Sequence, residues 1–325
     1  MKEFQFITHD NKDAYFNIAS EEYLLKHTDG YYFYLWINDP AVIVGVNQNA
    51  IEEVNLDYTQ SNSIKVVRRI TGGGTVYHDG GNLCYTVIAP FNAEQDNYKA
   101  FTKPVIEYLN ELSVKAEFSG RNDIVVDGKK ISGNAQTVYK DRIMHHGTIL
   151  FDTDMQVLSH ALKPSKIKME SKGIKSVRAR VTNVKEYLNS DMTMQEFKDG
   201  LAQKFSQSFS RYEFTKEDII EITKLIDQKY SSYEWNIGCS PKGKNQFTKK
   251  FDFGIFSLFF NTVDGKIADA EIRGDFFSKK DVKPFADALC GVRFTKSELL
   301  NAFANVGDYI EKATGEQIVD ALFEV

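Results

Sequence analysis

Arginine, glycine and histidine crowd into one fifteen-residue stretch, "RRITGGGTVYHDGGN", residues 68 to 82. Glycine held in one conformation costs about 0.5–1 kcal/mol relative to alanine in regular structure. Three in a row, Gly72 to Gly74, therefore imply a backbone that something approaches closely or that turns through positive φ. The arginines suggest what approaches, because a planar fork of donors matches phosphate or carboxylate oxygens. Arg68 and Arg69 are adjacent in a strand, so their side chains leave on opposite faces and only one meets a ligand held by the loop. The bland alternative, two solvated surface charges, stays open. His78 and Asp79 follow; a metal site or acid–base pair is conceivable, and a His–Asp hydrogen bond that pins the loop is the preferred reading.

A second cluster is "SGRNDIVVDGKKISGNAQ", residues 119 to 136. Asp123 precedes a strand, where a carboxylate can hold a phosphate-bound metal ion. Lys129 and Lys130 follow a turn and point to opposite faces, and Ser132-Gly133 permits close backbone approach. "HHGTILFD", residues 145 to 152, adds two histidines and a glycine at a strand start. Adjacent strand histidines do not share one metal, which argues against zinc. Taken together these pieces describe a pocket with a glycine-rich wall, an arginine, a lysine and a carboxylate, suited to a nucleoside phosphate bearing an activated acid.

The elements that must position these residues are mixed. "NIASEEYLL" has helical spacing. "YYFYLWI" and "AVIVGV" read as strands joined by an Asn-Asp-Pro turn, and "IKVVRRI" delivers the chain into the glycines, which "NLCYTVIA" leaves as a strand. The glycine run thus joins strands and does not open a helix, which excludes a P-loop or a dinucleotide fingerprint. Asp127-Gly128 and Asp264-Gly265 each predict a tight hairpin. Thr193 with Glu196 caps a helix, "TKEDIIEITKLIDQKY" forms another, and Thr295 to Glu298 caps a third. The polar, basic "CSPKGKNQFTKK" marks a domain boundary near residue 244, giving a domain over 1–244 and a smaller α/β domain over 245–325.

Composition bounds the remainder. The chain has 325 residues and a net charge of −5, which argues against a broad nucleic-acid footprint. Its three cysteines, Cys84, Cys239 and Cys290, form neither a disulfide framework nor a zinc motif. "MKEFQFITHDNKD" lacks the apolar core of a signal peptide, and the early apolar runs are too short to span a bilayer. The expectation is a soluble cytoplasmic protein with no nucleic-acid or membrane partner.

These stretches resemble the lipoate–protein ligases over nearly the whole chain. "RRITGGGTVYHDGGN", "SGRNDIVVDGKKISGNAQ", "HHGTIL", "KGIKSVRARVTN" and "EWNIG" stand in the family's order. The resemblance implies an α+β fold, with a mixed β-sheet catalytic domain of the biotin/lipoate ligase type and a C-terminal accessory domain. It implies ATP-dependent activation of lipoate to lipoyl-AMP, then transfer to a lysine of lipoyl-domain proteins, namely E2 subunits of 2-oxoacid dehydrogenases and the glycine cleavage H protein. Carried over residue by residue, Lys130 is catalytic, contacting both the lipoate carboxylate and the α-phosphate. Arg69, Gly74, Thr75, Val76 and Tyr77 join it in binding ATP and the adenylate. Gly72, Gly73, His78, Ser132, Gly133, His146 and Gly147 line the lipoate site, and Asp123 holds Mg²⁺ through the ATP phosphates.

Two departures stand out. Val46 occupies a position that is basic in many members, and "SGNAQ" replaces the commoner SGSA. The nearest rival reading is an ATP-independent octanoyl or lipoyl transferase of the same fold, which needs a cysteine nucleophile after the HG strand. Residues 148 to 183 contain none, with Lys172-Gly173 where a Cys-Gly would stand. Cys84 reads as a small core residue. A biotin–protein ligase lacks support because its GRGRxGR-type loop is absent, and a non-catalytic binder would not need the Arg69, Lys130 and Asp123 set.

Overall fold

Strand alternation and helix caps lay the chain down in the order its patterns suggest. The computed structural model describes residues 4–163, 180–206, 209–238 and 245–323. The boundary near 244, Cys239 and residues 172–179 of the fourth stretch lie outside them. The first part runs β1 (Phe4–Thr8), α1 (Ala14–Lys26), β2 (Tyr31–Trp36), β3 (Ala41–Val44), α2 (Ala50–Glu53), α3 (Leu56–Ser61), β4 (Lys65–Arg68), β5 (Val76–His78) and β6 (Asn82–Pro90). Then come α4 (Asn97–Glu111), β7 (Glu117–Ser119), β8 (Asp123–Val126), β9 (Lys129–Tyr139), β10 (Arg142–Leu150) and α5 (Met155–Ala161). Helices Met194–Ser206 and Lys216–Leu225 flank the short β11 (Ser210–Arg211). Residues 245–323 form β12 (Asn245–Phe251), β13 (Gly254–Val263), β14 (Lys266–Gly274) and three short helices.

An eight-stranded mixed sheet, ordered β11-β1-β2-β6-β10-β9-β8-β7, is the frame. β11, β1 and β2 run parallel, and the pairs from β2 onward are antiparallel. One face packs on α4 and Met194–Ser206 through Val105, Leu109, Phe197 and Leu201. The other packs on α1 through Ile18, Ala19 and Leu25. Asp13 starts α1 by accepting from Tyr15 N–H at 2.7 Å, an N-cap of the expected kind.

A small sheet, β4-β3-β5, sits beside that second face. The two early apolar strands therefore part company: β2 joins the large sheet and β3 the small one. Asn38 between them is buried, bonding Asn17 at 2.8 Å and His78 at 3.1 Å, which directs the chain away from a hairpin. The glycine run joins β4 to the three-residue β5, and only then does the chain enter β6.

The Asp127-Gly128 and Asp264-Gly265 turns form as expected, each with two positive φ angles (48° and 74°, 52° and 72°), the mark of a type I′ hairpin. Thr193 and Glu196 form the reciprocal cap, with Glu196 N–H on Thr193 Oγ1 at 3.2 Å and Thr193 N–H on Glu196 Oε2 at 2.8 Å. Thr295 sits at a helix start but makes no side-chain cap bond. Residues 245–323 bury a core of their own around Phe256, Leu258, Phe285, Leu299, Phe303 and Ile318.

Candidate active site

Register across the large sheet builds a wall. Trp36, Cys84 and Thr148 lie opposite one another on β2, β6 and β10, and Gly133 of β9 follows, its N–H on Thr148 Oγ1 at 3.3 Å. Opposed residues share a face, so this row floors a cavity of about 120 Å³. Ile18 of α1 and Ile43 of β3 make it apolar at one end. Arg69, Gly73, Gly74, Thr75 and Val76 close one side, and Lys130 stands at the other end. Two interstrand spacings separate Gly133 from Cys84, about 10 Å.

The two arginines do part to opposite sides. Arg68 is fully committed to structure, donating to the carbonyls of Gly45 (2.8 Å), Gln48 (2.6 Å) and Trp235 (2.8 Å). This explains the "EWNIG" stretch: Trp235 and Asn236 receive Arg68, and Asn236 Oδ1 accepts its backbone N–H at 2.8 Å. Arg69 reaches the cavity, yet its donors grip the loop itself: Nη2 to Gly72 O (2.6 Å) and Gly74 O (2.9 Å), Nη1 to Ile43 O (3.1 Å), Nε to Thr71 Oγ1 (2.9 Å). Burial pushes its pKa down to about 10 against the opposing pull of Glu21, leaving it charged at neutral pH. It shapes the glycine loop as much as it offers a cation.

The glycines divide. Gly73, at φ +90°, lines the cavity with Gly74. Gly72 does not; a Cβ there would meet Phe276 O at 2.6 Å. Its lack of a side chain serves the seating of residues 274–278 on the loop. Gly73 N–H points to Phe276 O at 3.4 Å, and Gly274 N–H donates to Asn47 O at 2.7 Å. Arg121 of the second stretch completes this contact, donating to Phe253 O at 2.6 Å with its guanidinium 4.3 Å from the Phe277 ring.

Lys130 is half-exposed and its ammonium sits 2.7 Å from Asp123 Oδ1. Lys129 points the other way and is exposed. The pairing Val125↔Lys130, Ile124↔Ser132, Asp123↔Gly133 skips Ile131, so a β-bulge shifts the alternation. That bulge puts Lys130 and Gly133 on one face and turns Ser132 away. A Cβ on Gly133 would lie 2.7 Å from Lys130 Nζ. Residues 180–182 of the fourth stretch hold this place, with Lys130 N–H on Arg180 O at 2.9 Å and Thr182 N–H on Lys130 O at 3.0 Å.

Two further assignments are corrected by strand parity. Tyr77, between cavity-facing Val76 and His78, packs oppositely with Val42, Val44 and Leu158. Ser132, as noted, is buried against Asn134 Nδ2 at 3.3 Å and does not line this cavity. His78 and Asp79 also diverge, so no bond between them pins the loop: Asp79 accepts from the N–H groups of Gly81 and Asp154, both at 2.9 Å. His78 faces the cavity and accepts at Nδ1 from Asn38. Burial first, then Arg69 and His146, lowers its pKa to about 3.

His146 and Gly147 do line the cavity, while His145 points to the other face and bonds Gln136 at 2.8 Å. Cys84 is walled in with its thiol pushed well up by burial. Its sulfur lies 3.6 Å from His78 Nδ1 and 3.8 Å from Nε2; Nδ1 is already taken by the Asn38 amide, which leaves the ring proton on Nε2, so neither nitrogen is placed to take the thiol proton.

Sequence reasoning missed several members. Trp36, Ile18 and Ile43 form the apolar end; period-2 alternation along "YYFYLW" marks Trp36 only once its sheet is known. Asn134, the departure from SGSA, accepts from Tyr85 OH and donates to Asn122 O at 3.0 Å, stitching β9 to the turn that leads into β8 at Asp123. Val46 faces a separate cleft of about 890 Å³ against residues 269–287 and brings no cation to the cavity. Among the described residues no group of three His, Cys, Asp or Glu is placed to hold a metal, and no helix is long and apolar enough to cross a membrane.

Comparison with known proteins bears on what this cavity serves. A family model described as the lipoyl protein ligase A/B catalytic domain matches residues 13–206. Another, the bacterial lipoate protein ligase C-terminus, matches 240–322. "Lipoate-protein ligase LplJ" of Bacillus subtilis is 41% identical over 329 residues, covering 98% of this chain and 99% of that protein. "Lipoate–protein ligase 1" of Staphylococcus aureus is 43% identical over 88% of this chain and 89% of its own length. Among solved structures, LipL1 of P. falciparum in complex with lipoate matches at TM-score 0.81 and 27% identity over 98% of both chains. A lipoate-protein ligase A bound with ATP matches at 0.63 and 29% over 73% of this chain and 99% of that one.

Proposed function

The chain belongs to the lipoate–protein ligase family, and on that premise we propose how its residues perform the reaction. The enzyme ligates lipoate in an ATP-dependent reaction: lipoate and ATP yield lipoyl-AMP and pyrophosphate, and the lipoyl group passes to a lipoyl-domain protein. The finer acceptors proposed are E2 subunits of 2-oxoacid dehydrogenases and the glycine cleavage H protein.

Lipoate enters with its dithiolane toward Trp36, Ile18, Ile43 and Cys84 and its carboxylate toward Lys130. The span of about 10 Å from Gly133 to Cys84 suits an extended acyl chain, which advances roughly 3.4 Å per three bonds. The ionised carboxylate is itself the nucleophile, so this step needs no general base. Its difficulty is electrostatic, because two anions must meet at the α-phosphate. Lys130 offsets that repulsion and stabilises the charge that develops, as a preorganised cation does. Gly73 and Gly74 let the backbone approach the adenylate, with Arg69 holding the loop carbonyls in place and Thr75 and Val76 alongside. His146 and Gly147 border the lipoyl group.

The Lys130–Asp123 pair supports a switch in partners. A half-exposed ion pair is worth about 0–1 kcal/mol, so incoming anions displace Asp123 from the ammonium at little cost. Asp123 is then free for Mg²⁺, which characteristically takes one or two carboxylates plus substrate phosphates. When bound, the ion neutralises phosphate charge. We also propose that residues 1–244 form the catalytic domain and 245–325 an accessory domain whose Phe276 and Phe277 abut the glycine loop.

The observation that carries this reading is the single cavity that joins an apolar end to the glycine loop and Lys130. It is tested by pyrophosphate release with ATP and lipoate, with and without a lipoyl domain. Release that requires both substrates and accelerates on adding the domain is expected; no release would overturn it.

A further inference from the structure

Glu21 lies on α1, outside every stretch that carries the family resemblance, and is 1% exposed. Its carboxylate accepts from His146 Nδ1 at 2.9 and 3.0 Å and from Thr86 Oγ1 at 2.6 Å. The other nitrogen of His146, Nε2, is 2.7 Å from Thr71 Oγ1, and that hydroxyl accepts from Arg69 Nε at 2.9 Å. Arg69 in turn grips Gly72 O and Gly74 O. A buried carboxylate 53 residues upstream of Gly74 is thus connected to the glycine loop by four consecutive hydrogen bonds.

We infer that Glu21 is a positioning residue for adenylation, acting through His146, Thr71 and Arg69 to hold the glycine loop in its ligand-accepting shape. Donor counting fixes the direction of the chain. A carboxylate only accepts, so His146 carries its proton on Nδ1. Nε2 is then an acceptor, and Thr71 must give it the hydroxyl proton. That orientation turns the hydroxyl lone pairs toward Arg69 Nε–H, so each group in the relay has its complement. Charge supports the same assignment. Arg69 is buried beside a like charge, Arg68, and Glu21 is the carboxylate that compensates it. Hydrogen bonds to ionised groups are the stronger class, and a fully satisfied buried network fixes one geometry. Glu21 also reaches the apolar end of the cavity, because Trp36 Nε1 donates to Thr86 Oγ1 at 3.0 Å.

The inference rests on the ligase reading and is tested beside it. Glu21→Gln, Thr71→Val, their double mutant and Thr71→Ser are compared with wild type for ATP- and lipoate-dependent pyrophosphate release. Lipoate affinity is measured by calorimetry without ATP, and folding by thermal melts. A charged hydrogen bond in such a relay accounts for about tenfold to a hundredfold in rate. Thr71→Val is expected to slow release by that range and raise KM for ATP, with lipoate affinity within about twofold of wild type. Thr71→Ser, which keeps the hydroxyl, restores most of the loss. Because both residues act through one chain, Glu21→Gln adds little to Thr71→Val. Multiplicative losses in the double mutant, or Thr71→Val releasing pyrophosphate as wild type does, would overturn the relay. If Glu21→Gln fails to fold, the Thr71→Val and Thr71→Ser comparison decides alone. A wild type that releases no pyrophosphate would strike the ligase reading instead.

Discussion

Adding one methyl group at Gly133 gives a sharp test of how Lys130 is placed. A Cβ there would stand 2.7 Å from Lys130 Nζ and 2.9 Å from Cε. Contact between such atoms relaxes to about 3.5–4.0 Å, so the ammonium must retreat by roughly 1 Å. The backbone at Gly133 has no positive φ, and the atom displaced is the far end of a flexible side chain. The fold therefore has little to lose. The Lys130–Asp123 pair is half-exposed and its loss costs about 0–1 kcal/mol. Catalysis has much to lose, since a misplacement of about 1 Å can cost on the order of 10²-fold. Gly133→Ala is thus expected to slow pyrophosphate release by about 10²-fold with a barely altered melting temperature. If the effect runs through Lys130, the same substitution in a Lys130→Ala background adds almost nothing. Wild-type release from Gly133→Ala, or a full additional loss in the Lys130→Ala background, would refute the proposed placement.

Lys130→Ala should lower adenylation by ~10²–10³ in a folded protein, and Lys129→Ala, on the exposed face, should leave it near wild type. Gly73→Val forces a β-branched residue into φ +90° with its Cβ 3.1 Å from the Phe277 ring and 3.2 Å from Arg69 Nη2; binding of ATP should weaken, read by titration calorimetry. His78 and His145 are buried neutral with pKa values lowered to about 3. Below the unfolded pKa of about 6.5 the unfolded chain binds protons that the folded one refuses. Stability is therefore present above 6.5 and falls as pH drops toward 3, by about 2 kcal/mol per histidine between pH 7 and 5, measurable by urea unfolding at the two pH values. Replacing Cys84 by Ala and Cys239 and Cys290 by Ser should leave ATP-dependent lipoylation running, because an acyl-adenylate needs no protein nucleophile.

Local rules of chain geometry make part of this site legible in the sequence. Adjacent residues in a strand diverge, which separates Arg69 from Arg68 and Lys130 from Lys129. Asp-Gly pairs announce both hairpins. The same rule of alternation, applied within "TVYH", removes Tyr77 from the cavity; only the contiguity of the motif draws the whole run into the site. Ser132 is beyond that rule, because the bulge at Ile131 reverses the alternation and leaves no compositional mark. Gly72 answers to Phe276, about two hundred residues later in the chain, and Glu21 to His146, 125 positions away. Such pairings are set by how strands are ordered in the sheet, which local periodicity does not encode. A wrong local reading here misassigns a side chain and leaves the fold class standing.

In the proposed reaction the acyl group is carried as a mixed anhydride with AMP, held beside Lys130 and joined to no residue of the enzyme. Stoichiometric enzyme, ATP, Mg²⁺ and lipoate, mixed without an acceptor and quenched, should contain lipoyl-AMP and pyrophosphate while the intact protein mass stays unmodified. A lipoyl domain added before the quench should take the acyl group on its lysine and release AMP. An acyl mass on the enzyme that maps to Cys84, or transfer that proceeds without ATP, would contradict the account at its centre.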